Sequence, residues 1–303
     1  MSSSSYAHLT GNDESSFHTH LAGKEITQNR NWMENLPHDV VVAIMQKVGT
    51  IDILNNIQNV CVSWRKICQD PALWKSIDMH HFGDLLDRDV LVEMTKHAID
   101  RSCGQLIDIN LVYFGNDDLL KYITDRKNQL RRLRIVMCRD ITDEGLSEAS
   151  ENLSSIEELH IYLGDISLLK YITHVGLYNV GCNCPVLKSL TFNQQGAMME
   201  SYEHDFDPNT EALAISRTMP QLRHLSLFGN HMTDIGLQAI LDACPSLESL
   251  DLRKCFKINL SGELGRRCSF IKTLKLPNDS TNDYDFDYQG YEFYYSYDDD
   301  DYS

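Results

Sequence analysis

The pattern L-x-x-L-x-L, with Ile or Phe at some anchors, recurs seven times between residues 106 and 276 of this 303-residue chain. The anchors are Leu106, Ile109, Leu111; Leu130, Leu133, Ile135; Ile156, Leu159, Ile161; Leu187, Leu190, Phe192; Leu222, Leu225, Leu227; Leu247, Leu250, Leu252; and Ile271, Leu274, Leu276. First anchors lie 24, 26, 31, 35, 25 and 24 residues apart, so loops are inserted in the middle of the array. The last two anchors of each set are two residues apart and share one side of a short strand, while the residue between them faces the other way. Three buried anchors contribute about 6 kcal/mol at roughly 2 kcal/mol each. Ordering the backbone of one such unit costs on the order of 25 kcal/mol. A single unit cannot stand alone, and the pattern predicts a stacked solenoid in which each unit covers its neighbour. Trp74, Ile77 and Met79 share the spacing and predict a leading strand.

Two further features recur in register. Cys103, Cys184, Cys244 and Cys268 each precede a first anchor by three residues, and ITDEGL at 141–146 matches MTDIGL at 232–237. Cysteine at that place reads as a small buried hydrophobe. Thr142 with Asp143, and Thr233 with Asp234, are candidate helix caps ahead of apolar stretches. Strand, turn and helix thus alternate, which predicts an α/β horseshoe with parallel strands on the concave face and helices outside. The combination resembles the cysteine-containing leucine-rich repeats of F-box proteins. Residues 183–204 depart from the pattern, in the fourth repeat.

Residues 36–74 read LPHDVVVAIMQKVGTIDILNNIQNVCVSWRKICQDPALW. Asp39 is a candidate cap for a helix whose apolar residues Val40, Val41, Ile44, Met45 and Val48 recur at helical spacing, and Gly49 ends it. Asp52 starts a second short helix, and Ile57, Val60, Cys61, Trp64 and Cys68 line one side of a third. About forty residues in three short helices are too few to bury all of these side chains, so apolar surface is left for a partner. The segment resembles an F-box in order and spacing: Leu36 and Pro37, Ile44, Leu54, then V-C-x-x-W-R and D-P-x-L-W. That resemblance implies docking onto the adaptor subunit of an SCF-type ubiquitin ligase, and through it a cullin. Leu36, Pro37, Ile44, Leu54, Val60 and Trp64 are its candidate contacts; Val60 and Trp64 can equally brace the three helices.

The expected organisation is a disordered segment at 1–30, an F-box at 31–76, leucine-rich repeats at 77–277 and a disordered acidic tail at 278–303. Together these resemble plant-type F-box/LRR proteins, which implies a non-catalytic substrate receptor for ubiquitination. A ligase-independent repeat scaffold or small-ligand sensor is the alternative. Strand alternation puts Arg132, Arg134, His160, Tyr162, Phe228 and Arg253 on the concave face, where the aromatics could anchor a target and the arginines could pair with acidic or phosphorylated groups.

Composition narrows the field further. The net charge of −17 opposes a nucleic-acid backbone or an anionic membrane as partner. Residues 278–303 supply nine of those negative charges, with eight Asp, one Glu and no Lys or Arg. Asp283, Asp285 and Asp287 have calcium-loop spacing, but Tyr288 stands where that loop requires glycine. The longest apolar run, at 40–45, is far below the ~20 residues of a membrane span. The N-terminus lacks the basic start and apolar stretch of a signal peptide, so a soluble cytoplasmic or nuclear chain is expected. Nine cysteines without a C-x-x-C pair predict reduced thiols, and the lone C-x-C of Cys182 and Cys184 falls short of four zinc ligands. No G-x-S-x-G, H-E-x-x-H, Walker loop or G-x-G-x-x-G turn is present. Neither catalysis nor a cofactor is expected.

Overall fold

The computed structural model describes residues 36–80, 86–126, 129–163, 172–194 and 207–284; the predicted disorder at 1–30 and the tail beyond 284 lie outside the described residues. Eight strands form one parallel sheet in chain order: β1 (Ser76–Asp78), β2 (Asp108–Val112), β3 (Arg132–Val136), β4 (Glu158–Leu163), β5 (Ser189–Gln194), β6 (His224–Ser226), β7 (Ser249–Asp251) and β8 (Thr273–Lys275). The anchors set the register. Ile77 lies opposite Ile109, which continues through Leu133, Leu159, Leu190, Leu225, Leu250 and Leu274. The fourth repeat obeys the same frame, with Phe192 opposite Ile161 and fully buried.

Parallel neighbours need crossovers, and helices supply them: α4 (Arg88–Arg101), α5 (Asp117–Thr124), α6 (Asp143–Ser150), α7 (His174–Asn183), α8 (Thr210–Thr218), α9 (Asp234–Ala243) and α10 (Glu263–Cys268). Each packs on the next, so sheet and helices form two layers around one core of anchors and helix residues such as Leu119, Leu146, Leu177, Ile215 and Leu237. Of the loops that the two long anchor spacings predict, the one between β4 and β5 contains a regular repeat helix, α7. Residues 164–171 and 195–206, within those two spacings, lie outside the described residues.

A ladder of side chains fixes successive helices. Thr142 caps α6 by accepting from the Gly145 N–H, while its own N–H and hydroxyl donate to Asp117 of the preceding repeat at 2.9 and 2.7 Å. Asp143 in turn accepts from the Thr173 N–H and hydroxyl at 2.7 and 2.6 Å and from the Gly176 N–H at 2.9 Å. Asn209 treats Thr233 and Gly236 in the same way. This explains the glycine of T-D-x-G-L: a Cβ on Gly145 would sit 1.9 Å from an Asp117 carboxylate oxygen.

Helices α1 (His38–Gln46), α2 (Thr50–Asn55) and α3 (Val62–Ile67) precede the sheet. Gly49, at φ 98°, supplies the left-handed turn between the first two. Val41, Val42, Met45, Ile53, Leu54, Cys68, Leu73 and Trp74 join the same core as the repeats. The Trp74 indole N–H donates to the Cys68 carbonyl at 3.0 Å, Arg101 of α4 lies over its ring at 5.3 Å, and the Thr50 hydroxyl accepts from the Asp78 N–H of β1. The small helical unit is thereby joined to the first repeat.

Four local expectations are corrected. Pro37, without a side-chain acceptor, precedes α1, and Asp39 lies inside it. The third helix is shorter than read: Ile57–Asn59 forms a 3-10 turn and Cys61 is extended, so Ile57 and Val60 are not on α3. Cys103 is exposed in a left-handed turn at φ 49°, whereas Cys184, Cys244 and Cys268 are buried as expected. Leu276, the last anchor, is exposed rather than buried like its counterparts Leu111, Ile135 and Leu252.

Candidate protein-docking surfaces

The first surface lies on the helical unit. The apolar positions of α1 divide into two stripes, as 3.6-residue spacing dictates: Val41, Val42 and Met45 enter the core, while Val40, Ile44 and Val48 remain exposed, Ile44 at 37%. Val60, just after the 3-10 turn, and Val62, the first residue of α3, are 60% and 69% exposed. Pro37 is exposed, and Leu36 and Trp64 are half-buried against the core. Leu54 departs from the expected set: it is buried in the core, between the helical unit and the repeats, and is not presented to a partner. Val40, Val48 and Val62 were not among the predicted contacts, although Val40 and Val48 share the i, i+4, i+8 stripe with Ile44.

The second surface is the concave face, and its two ends differ. At β2–β4 the charges compensate one another. Arg132 forms a two-pronged pair with Glu158, at 2.7 and 2.9 Å, and reaches Asp108 at 3.1 Å. Its fork is engaged by neighbouring strands, and the Glu158 carboxyl is held below the usual carboxylate range by that hydrogen bond. His160 hydrogen-bonds the Thr191 hydroxyl at 2.9 Å, and burial pushes its imidazole below the ordinary histidine value.

At β4–β8 the residues read as target anchors are covered. Phe228 is 1% exposed and Arg253 is 3% exposed, so neither is the open contact that strand alternation predicts. The cover is residues 278–284, the start of the expected disordered tail. The Tyr284 ring stacks on Phe228 with centroids 4.0 Å apart and planes 3° from parallel, and it meets Tyr162 at 6.3 Å. Arg134 continues the row, 5.0 Å from the Tyr162 ring. Arg253 donates to Asp251 at 2.7 to 3.1 Å, to the Ser280 carbonyl at 2.9 Å and to Asp283, which also pairs with Lys275. Lys275 and Arg253 hold the Asp283 carboxyl down at about 2. That pairing is complete above the ordinary aspartate value of 3.8 and is lost only as pH falls through about 2.

The buried thiols suit packing rather than chemistry. Burial pushes Cys184 and Cys255 up to about 12 and Cys138 and Cys244 up to about 11, far from the thiolate a nucleophile or ligand requires. Cys182, the other half of the C-x-C, is exposed. Among the described residues no three His, Cys, Asp or Glu side chains converge on a possible metal position.

Comparison with known proteins agrees with this architecture. A family model described as F-box-like matches residues 33–80, and one described as Leucine Rich repeats (2 copies) matches residues 220–265. The chain is 46% identical to F-box protein SKIP19 of Arabidopsis thaliana over 266 residues, 87% of this chain and 83% of that protein. It is 44% identical to the Arabidopsis thaliana Putative F-box/LRR-repeat protein 23 over 83% of this chain and 54% of that longer protein. A solved structure of the yeast Rad7 and Elc1 complex aligns at a TM-score of 0.48 and 16% identity, over 80% of this chain and 60% of the other. With an F-box unit feeding a parallel repeat sheet and relatives alike over most of its length, the chain belongs to the F-box/LRR-repeat proteins.

Proposed function

We propose that this protein is the substrate-recognition subunit of an SCF-type cullin-RING ubiquitin ligase, binding the adaptor through the F-box and a target protein through the repeats. The observation that carries the reading is the uncovered apolar stripe of the F-box. Val40, Ile44, Val48, Val60 and Val62 stay in water while Val41, Val42, Met45, Ile53, Leu54, Cys68, Leu73 and Trp74 of the same unit join the core of the repeats. Exposed aliphatic carbon is relieved by a partner that buries it, and an amphipathic partner helix fits such a stripe. Leu36, Pro37 and Trp64 flank it as further contacts. Bond formation belongs to other subunits; the receptor raises the effective concentration of target beside the ubiquitin-charged enzyme and fixes its orientation.

The test is direct. Purified full-length chain mixed with an SCF adaptor should elute from a sizing column as a stoichiometric complex. Separate peaks at micromolar concentrations would end the proposal and leave a repeat scaffold.

A further inference from the structure

We propose that the concave face at β4–β8 is a receptor for an acidic-aromatic peptide segment, and that Asp283 and Tyr284 of the same chain are its resident occupant, displaced by a target carrying the same Asp-Tyr chemistry. The proposal names the target class for the site read above as target-binding, and so rests on that reading.

The receptor half is assembled by residues in the strands and just beyond their ends that orient one another. Asp251 holds two nitrogens of Arg253, with Nε to Oδ1 at 3.0 Å and Nη2 to Oδ2 at 2.7 Å, so the third, Nη1, faces an incoming acceptor. Asn193 is fixed by accepting from the Ser226 hydroxyl at 2.8 Å and the Phe228 N–H at 3.1 Å. Phe228 and Tyr162 supply two ring faces for Tyr284, and a cleft of about 140 Å3 remains between Tyr162, Asn193 and Arg253 on the sheet and Asp283 and Tyr284 of the segment. In charge, Arg253 and Lys275 stand against Asp251, which leaves one positive charge unbalanced. Lys254, 5.2 Å from the Phe228 ring, adds another.

The occupant meets each of these groups in turn. Asp283 takes the free nitrogen of Arg253 and the Lys275 ammonium, and Tyr284 lies flat on Phe228 with its hydroxyl bonded to the Asn193 side chain. A flat aromatic face and a charge-assisted pair, two residues side by side, form a short linear recognition motif. The segment is joined to β8 by a turn in which the Leu276 N–H donates to Asp279, and Asp283 remains largely exposed. The Asp-Tyr pair also recurs in the chain at Asp287 with Tyr288 and at Asp301 with Tyr302. An occupant tethered this closely competes at an effective concentration on the order of millimolar, so a target must outbid it or be multivalent.

Two measurements on the full-length chain test this, neither containing the adaptor, so failure of adaptor binding leaves them unaffected. A fluorescent peptide of sequence NDSTNDYDFDY, residues 278–288, is titrated into wild type and into Asp283→Ala/Tyr284→Ala, with binding read by anisotropy. The variant should bind at least about tenfold tighter than wild type, and the same peptide with its tyrosines replaced by alanine should not bind. In wild type, excess unlabelled peptide should speed amide exchange across 279–284. Equal peptide affinity for both proteins, equal binding of the tyrosine-free peptide, or unchanged exchange would overturn the proposal and leave residues 278–284 as a structural cap.

Discussion

The F-box and the far end of the horseshoe present two solutions to the problem of keeping a docking surface in water. On the F-box, aliphatic side chains such as Ile44 and Val60 stand exposed, without charge and without cover. Under β4–β8, aromatic rings and a guanidinium are sealed by a segment of the same chain. An uncovered apolar stripe has water as its only competitor, so it is ready for a partner at all times. A site filled in cis has a competitor of fixed effective concentration, which makes capture selective rather than constitutive. The first suits a permanent assembly contact and the second a changing set of targets.

That contrast can be broken most sharply at the F-box. Replacing Ile44 and Val60 together by Asp should weaken adaptor binding by about 4 kcal/mol, on the order of a thousandfold, by calorimetry. The melting temperature and the tail contact should stay unchanged, since both residues are exposed. A parallel loss of the tail contact would show that the two regions are not independent.

Leu54→Ala sharpens the boundary between docking and bracing. Leu54 is buried, so its truncation should cost about 2–5 kcal/mol of stability in chemical denaturation. Adaptor affinity of the folded fraction should stay near wild type. Gly145→Ala tests the repeat ladder between the two regions: the methyl would collide with Asp117, and a loss of about 1–3 kcal/mol is expected. A neutral outcome would mean the ladder does not govern helix spacing.

The smallest effect is a pH dependence on the open half of the concave face. The imidazole of His160 is held below its ordinary value by burial, against the pull of Glu158 and with Arg134 and Arg132 nearby. Between that lowered value and the ordinary 6.5, the unfolded chain binds the proton that the folded chain refuses. Stability should therefore fall as pH drops below about 6.5. His160→Gln should flatten that slope in melting curves at pH 7 and pH 5.5, and an unchanged slope would assign it to other groups.

Much of this was legible in the chain. The L-x-x-L-x-L spacing placed the strands and their register, because two-residue alternation leaves only one way to bury Ile109 with Leu111 and every equivalent pair. The Thr142 and Thr233 caps were legible for the same local reason. What escaped depends on distant neighbours. Leu54 occupies a family docking position, yet its environment is set by how α2 meets the repeats. Phe228 and Arg253 follow the ends of β6 and β7 on the side that alternation gives them, and they are covered by residues far along the chain, Tyr284 on Phe228 and Asp283 on Arg253. Composition alone made that tail a solvated acidic stretch, and only the folded sheet brings Lys275 and Arg253 to meet it. Cys103 carries the same register signal as its buried counterparts, but its left-handed turn ends a helix at the surface.

Amide hydrogen exchange of the full chain with and without adaptor tests the contrast most directly. New protection should appear across residues 36–66 while residues 273–284 exchange at their former rates. Protection absent from the F-box, or appearing at the tail and β8 instead, would contradict the division between an open dock and a self-occupied one.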